Sequence, residues 1–152
     1  MSIKLLAIGN RILKDDMAAL FVAEKLDNKL RKSNIQVIIG ETDIEYCISN
    51  IEEDDSLIIL DAYLAHDYED IGKVRVMELN ESSNCYLNYL SQHQLNIIKY
   101  MEINNIKANG IIIGIGVYDI NFGLEFSNEV CLKIEKITED VLMNINKYIG
   151  EI

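Results

Sequence analysis

Residues 3–16, Ile-Lys-Leu-Leu-Ala-Ile-Gly-Asn-Arg-Ile-Leu-Lys-Asp-Asp, decide the fold class of this chain. The apolar run Ile3–Ile8 predicts a short buried strand, and Gly9 predicts the turn that ends it. Two adjacent carboxylates, Asp15 and Asp16, then open a predicted helix. Open α/β proteins bind their ligands at the carboxyl ends of parallel strands. A carboxylate at this position is therefore either a helix cap or a functional group.

The rest of the chain alternates strands with helices. Further strands are predicted from apolar or β-branched runs at Ile35–Ile39, Leu57–Leu60, Val74–Leu79 (an edge strand) and Gly110–Ile115. Helices are predicted at Asp16–Lys32, at Ile44–Ile51, after a capping box at Ser91-Gln92-His93-Gln94, and after a cap at Ser127. The polar stretch Asn80–Leu90 predicts a loop. This order predicts a three-layer α/β/α sandwich with a mostly parallel sheet of about five strands, as one domain over residues 1–152.

Two of the predicted helices carry a clear apolar face. In the first, that face consists of Ala19, Val22, Ala23, Leu26 and Leu30. In the last, a longer stripe consists of Val130, Ile134, Ile137, Val141, Ile145 and Ile149. Each helix is therefore expected to cover the sheet.

Charge and composition exclude several classes of function. The formal net charge is −11, from 14 basic and 25 acidic residues, which disfavours a nucleic-acid partner. No apolar run approaches the roughly 18 residues of a membrane span, and the N-terminal apolar stretch is not a signal peptide. The cysteines Cys47, Cys85 and Cys131 are odd in number and form no CxxC. Reduced thiols in a cytoplasmic protein are therefore expected.

The common cofactor and nucleophile motifs are absent from the sequence. The turn Gly9-Asn10-Arg11-Ile12-Leu13 does not match GxGxxG, and no GxxxxGK[ST] occurs, so no phosphate-binding loop is predicted. A GxSxG serine-hydrolase motif is also absent.

Three residues form the candidate site: Asp16, Asp61 at the end of the predicted strand Leu57–Leu60, and His93 in the first turn of a helix. Each has an ordinary alternative. Asp15 could cap the helix while Asp16 favours its dipole, Asp61 could bind the amides of the next turn, and His93 could be a surface residue.

The three weak signals gain weight if they converge at one sheet edge. Two carboxylates and an imidazole suit a borderline divalent ion such as Ni²⁺ or Zn²⁺, and three protein ligands leave coordination positions open. His66 is the other candidate ligand and is expected to be solvated.

These motifs, taken together, resemble the hydrogenase maturation endopeptidases, which trim the C-terminus of the large subunit of nickel–iron hydrogenases. The family opens with strand-Gly-Asn-x-Leu-x-x-Asp-[Asp/Glu], then has a strand ending in Asp-Ala, a Ser-x-His-x-Leu, a late strand with Gly, and a Leu-Ser-x-Glu-Val helix start. The matching stretches, in order, are Gly9–Asp16, Leu57–Ala62, Ser91–Leu95, Ile113-Gly114-Ile115 and Phe126–Val130. They extend over nearly the whole chain.

The resemblance implies an aspartyl-type endopeptidase in which Asp16, Asp61 and His93 are the catalytic and metal-binding residues. It implies that the partner is the precursor of a nickel–iron hydrogenase large subunit, and that nickel is carried by this substrate instead of being bound permanently. The implied reaction is hydrolysis of one peptide bond near the nickel site. A metal there can polarise a carbonyl or position a water.

Two stretches depart from the family pattern. The family usually continues its first motif with Gly-x-Gly, where this chain has Met17-Ala18-Ala19. It tends to follow the second strand with a glycine-rich turn, where this chain has Gly40-Glu41-Thr42-Asp43, and Glu41 adds bulk and charge there. These departures motivate an alternative, a non-catalytic relative that binds a metal or a partner. A third hypothesis is a peptidase that acts on a different protein.

Overall fold

The computed structural model describes residues 1–79 and 92–152, and for residues 92–96 it describes the backbone only. The strands are β1 (Ile3–Ile8), β2 (Ile35–Glu41), β3 (Ser56–Leu64), β4 (Val74–Glu78) and β5 (Asn109–Val117). The α-helices are α1 (Ala18–Lys32), α2 (Ile44–Ser49), α3 (Gln92–Ile103), α4 (Asn128–Cys131) and α5 (Ile134–Glu151). Two short 3₁₀ helices, Lys14–Met17 and Tyr68–Asp70, precede α1 and β4.

The strands form one five-stranded sheet in the order β2-β1-β3-β5-β4. Strands β2, β1, β3 and β5 are parallel, and β4 runs antiparallel to β5 at the edge. The fold class and the edge strand predicted at Val74–Leu79 are therefore confirmed, and the antiparallel direction of that strand is a finding of the structure. The parallel strands end at a common edge, called here the carboxyl edge.

The two faces of the sheet are covered by different helices. Buried residues of α1 and α5 pack with Leu5, Ile58 and Ile113 on one face. Buried residues of α2 and α3 pack with Leu6, Ile59 and Ile112 on the other. Because side chains alternate along a strand, neighbouring residues of each inner strand contact opposite helix layers. Three layers result, as predicted.

Several predicted boundaries differ from those observed. Strand β3 continues to Leu64 instead of ending at Leu60, because β5 pairs with it as far as Val117. Strand β2 continues through Gly40 to Glu41. The predicted last helix is two helices, with Ser127 capping α4 through a hydrogen bond from the Val130 amide.

Both predicted apolar helix faces are buried, apart from the partly buried Ile149 at the end of α5. The predicted loop Asn80–Leu90, the Ser91 cap and Cys85 lie outside the described residues.

Candidate active site

The turn after β1 fixes the position of Asp16. The backbone amide of Gly9 donates to the carbonyl of Glu41 at 3.0 Å, and the amide of Asn10 donates to Oδ2 of Asp16 at 2.8 Å. Gly9 has φ +156°, and a Cβ atom at this residue would lie 2.2 Å from the carbonyl oxygen of Asp16. Only glycine leaves room for this approach. The turn therefore holds Asp16 against the end of β1.

Neither acidic residue of the pair caps a helix, so the capping alternative for Asp15 is wrong. Leu13 precedes the 3₁₀ helix and Met17 precedes α1, and neither N-cap position has a side-chain hydrogen bond. Asp16 is only 7% exposed, on a 3₁₀ helix that contacts β3. Its carboxylate is therefore held inside the structure, near the strand that carries Asp61.

Asp15 is fully buried and binds the loop between β5 and α4. Its carboxylate accepts hydrogen bonds from the amides of Tyr118, Asp119 and Ser127 and from the hydroxyl of Ser127, at 2.7–3.1 Å. Ser127 is 112 residues away along the chain, so periodicity offers no signal for this contact. Asp15 thus ties the β5–α4 loop to the turn that presents Asp16.

Asp61 lies within β3, not at its end as the sequence predicted. It is fully buried and pairs in register with Gly114. Pairing between β1 and β3 stops at Leu60, so Asp61 is the first β3 residue beyond that pairing. Its Oδ1 accepts a hydrogen bond from the amide of Ala62 at 2.7 Å. Alternation along β3 puts its side chain on the face covered by α2 and α3. Asp16 and Asp61 therefore share the carboxyl edge.

His93 is in the first turn of α3, and its side chain lies outside the described residues. Helix α3 ends at Ile103, and β5 begins at Asn109, where the parallel strands start. The first turn of α3 therefore lies toward the carboxyl edge. Helix α3 has 12 residues and is about 18 Å long. The five residue steps of β5 from Asn109 to Gly114, which pairs with Asp61, span roughly 17 Å. The start of α3 is therefore about level with Asp61. This geometry is consistent with a site shared by His93 and Asp61, and the ligand role of His93 stays a prediction.

A second polar cluster lies two residues beyond Asp61 on the same face of β3. The hydroxyl of Tyr63 donates to Oδ1 of Asp70 at 3.1 Å and accepts from Nε of Arg75 at 2.9 Å, and Arg75 also binds Asp70 at 2.7 Å. Burial raises the pKa of Tyr63 to about 12. Burial alone would raise the pKa of Asp70, but hydrogen bonds from Arg75 and Tyr63 hold it below its usual value. The tyrosine is therefore neutral and the pair Asp70–Arg75 charged.

The sequence reasoning did not find the Tyr63 cluster, although a signal was present. Gly114 and Gly116 of β5 face the Tyr63 side chain: a Cβ atom would lie 3.0 Å from the ring at Gly114 and 3.0 Å from the hydroxyl at Gly116. Glycine in the interior of a strand often marks a place where another group approaches closely, and here that group is the Tyr63 side chain. The cluster stiffens the carboxyl end of β3 next to Asp61.

The remaining candidates are a histidine and two thiols. His66 is exposed, as predicted, and its amide donates to Asp70 at 3.4 Å. Cys47 is buried and Cys131 exposed, and both are free thiols. Across the side chains that the structure describes, no three His, Cys, Asp or Glu residues form a group that could hold a metal; the side chain of His93 is not among them. No helix in the described part of the chain is long and apolar enough to cross a membrane.

A mostly parallel sheet covered by helices on both faces, with two buried carboxylates at its carboxyl edge, defines the class: an α/β protein with a candidate hydrolytic site. Comparison with protein families makes this specific. The HycI family model, hydrogenase maturation protease, matches residues 20–144. The chain therefore belongs to the hydrogenase maturation protease family, and it is a hydrogenase maturation endopeptidase. None of the curated proteins matches it in sequence.

Solved structures of the same fold agree with this assignment. The nickel–iron hydrogenase maturation protease HybD from Thermococcus kodakarensis is 27% identical with a TM-score of 0.74, covering 94% of this chain and 98% of its own. The hydrogenase maturating endopeptidase HybD from E. coli is 20% identical with a TM-score of 0.74, covering 97% and 93%. HycI from Thermococcus kodakarensis is 14% identical with a TM-score of 0.65, covering 92% and 89%. The similarities to HybD from E. coli and to HycI, at 20% and 14% identity, concern the fold alone.

Proposed function

We propose that this endopeptidase removes the C-terminal extension of the large-subunit precursor of a nickel–iron hydrogenase, with Asp16, Asp61 and His93 at the reaction centre. The observation that carries the proposal is the pair of buried carboxylates at one sheet edge. Asp16 is anchored by the amide of Asn10, and Asp61 by the amide of Ala62. Buried carboxylates held in this way are oriented before a substrate arrives, which is what efficient catalysis requires.

The donor set suits a metal that arrives with the substrate. Carboxylate oxygens together with one imidazole are ligands that Ni²⁺ accepts. Nickel would be cargo of the precursor, and bound at this site it would supply polarisation of the scissile carbonyl. On the side of the enzyme, Asp16 and Asp61 would orient the metal-bearing segment, and His93 would complete the ligand set. Hydrolysis in the cytoplasm would agree with the free thiols Cys47 and Cys131.

The two departures from the family pattern have structural explanations that do not remove the site. Ala18 and Ala19 are fully buried, where they pack α1 onto the sheet. Glu41 forms an ion pair with Arg11 at 2.7 Å. Its charge is therefore offset by a residue of the β1 turn. The family assignment favours the catalytic interpretation over the non-catalytic alternative.

The test is processing of a purified, nickel-loaded precursor, followed by mass spectrometry of its C-terminus. Asp16→Asn, Asp61→Asn and His93→Ala are each expected to slow cleavage by about 100-fold or more. Asp27→Asn is the matched carboxylate control, because Asp27 only pairs with Arg31 on the surface of α1.

Two results would contradict the proposal. Cleavage by His93→Ala at the wild-type rate would exclude His93 from the reaction centre. Equal cleavage of nickel-loaded and nickel-free precursor would exclude nickel recognition at this site. Circular dichroism of each variant would establish that a loss of cleavage is not a loss of the fold.

A further inference from the structure

Large apolar side chains are exposed in three loops at the carboxyl edge. Phe122 is 80% exposed, Leu124 74% and Tyr68 67%, although folded proteins bury most side chains of this kind. Ile12 and Tyr118 in the same loops, and Leu64 at the end of β3, are about half exposed. We call Ile12, Leu64, Tyr68, Tyr118, Phe122 and Leu124 the apolar edge surface. Exposed apolar groups that gather in one place mark interaction sites more often than scattered ones.

The three loops are connected, so these side chains form one surface. The amide of Gly123 donates to the carbonyl of Ile12 at 3.0 Å, and the amide of Lys14 donates back to Gly123 at 3.0 Å. On the other side, the Tyr68 and Tyr118 rings meet edge to face with centroids 6.4 Å apart. The β5–α4 loop therefore joins the turn after β1 to the loop after β3.

The backbone beneath this surface is held in place. Asp15 binds the amides of Tyr118 and Asp119 at 3.1 and 2.8 Å, and Lys14 binds the carboxylate of Asp119 at 2.6 Å. A surface that is already ordered loses little conformational entropy when a partner covers it. The β5–α4 loop therefore holds Phe122 and Leu124 in an exposed position where another molecule can bind them.

The charge around this surface is negative. Both cations of the turn are already paired: Arg11 with Glu24 and Glu41, and Lys14 with Asp119. Three exposed acids of the same loops, Asp67, Glu69 and Glu125, take part in no ion pair among the described residues. A partner that brings Lys or Arg would meet a complementary potential, whereas nucleic acid and anionic lipid would be repelled.

We propose that the apolar edge surface docks an apolar segment of the protein substrate that also carries Lys or Arg side chains. The proposal rests on the proposed function, because Asp15 places this surface beside Asp16. A groove of about 300 Å³, lined by Leu64, His66, Tyr68, Val117 and Tyr118 among others, is large enough for one apolar side chain. Docking here brings the substrate chain to the carboxylates at the same edge.

The experiment measures binding and cleavage separately, using the nickel-loaded large-subunit precursor as the probe. Phe122→Glu and Leu124→Glu are expected to weaken the binding of the precursor by about tenfold or more. Met143→Glu is the matched control, because Met143 is 61% exposed on α5, outside the apolar edge surface. Glu125→Lys is expected to weaken binding, and the wild-type affinity is expected to fall as salt concentration rises.

The outcomes distinguish this proposal from the proposed function. If wild type binds and cleaves the precursor but Phe122→Glu and Leu124→Glu bind as tightly as Met143→Glu, the docking surface is refuted while the peptidase function stands. If wild type binds through these residues but never cleaves, docking is supported and the peptidase function fails. If wild type is a dimer that Phe122→Glu makes monomeric, the surface is a self-interface, and substrate docking there is refuted.

Discussion

Replacement of Asp15 by alanine is the sharpest test of how the carboxyl edge is held together. The carboxylate is fully buried and accepts four hydrogen bonds, three from backbone amides and one from the Ser127 hydroxyl. Each hydrogen bond to such a group contributes about 1 kcal/mol or more once the unsatisfied donors are considered. Asp15→Ala should therefore lower the free energy of unfolding by roughly 4 kcal/mol. The free energy of unfolding of a typical domain is roughly 5–15 kcal/mol, so this loss would be a large part of it.

Asp15→Asn should have an intermediate effect of roughly 2 kcal/mol. Its amide oxygen can replace Oδ2, which accepts from Tyr118, Asp119 and the Ser127 hydroxyl. Its NH₂ group would then meet the Ser127 amide, which donates to Oδ1 in the native protein. Two donors would face each other at this one position, while the three hydrogen bonds to Oδ2 are kept. The loss is therefore smaller than in Asp15→Ala.

The assay is urea-induced unfolding of the wild type and of both variants, with hydrogen exchange of the amides of Tyr118, Asp119 and Ser127. Asp27→Asn is the control, since its exposed pair with Arg31 should contribute only about 0.5 kcal/mol or less. The reasoning would be refuted if Asp15→Ala unfolded at the same urea concentration as Asp27→Asn, or if the three amides kept their wild-type protection.

Two further predictions concern the turn after β1 and the opposite edge of the sheet. Gly9→Ala would put a Cβ atom 2.2 Å from the carbonyl oxygen of Asp16; it should cost about 1–3 kcal/mol and slow precursor cleavage. Gly150→Ala, in the last turn of α5 with nothing within 4 Å, should leave cleavage unaltered and should not lower the thermal stability, because alanine is the better helix former. Burial alone would raise the pKa of Asp55, but hydrogen bonds from Lys4 and Ser2 lower it to about 2. The ionised Asp55 carboxylate should therefore contribute about 2 kcal/mol to the free energy of unfolding above pH 4, and this contribution should be lost as the pH falls toward 2. Measured against pH, the free energy of unfolding of Asp55→Asn should lack this decrease. The same decrease in Asp55→Asn as in the wild type would refute the role given to Asp55.

Local patterns in the sequence were sufficient for the architecture. The buried strand Ile3–Ile8 and the apolar face of α1 follow from which residues alternate or recur every three to four positions, and such patterns report which face is buried. The expectation that Asp16 and Asp61 share the carboxyl edge also followed from sequence order, because parallel strands end at one edge. The roles of Ser91 and His93 stay predictions, because their side chains lie outside the described residues.

The tertiary structure alone decided which groups meet at that edge. Asp15 binds Ser127 across 112 residues, and Tyr63 lies over the glycines of β5 and joins Asp70 to Arg75. The extent of β3 beyond Leu60 depends on its pairing with β5, not on its own composition. Periodicity identifies a buried face but carries no information about the partner that covers it. Contacts between distant segments therefore appear only when the chain is folded.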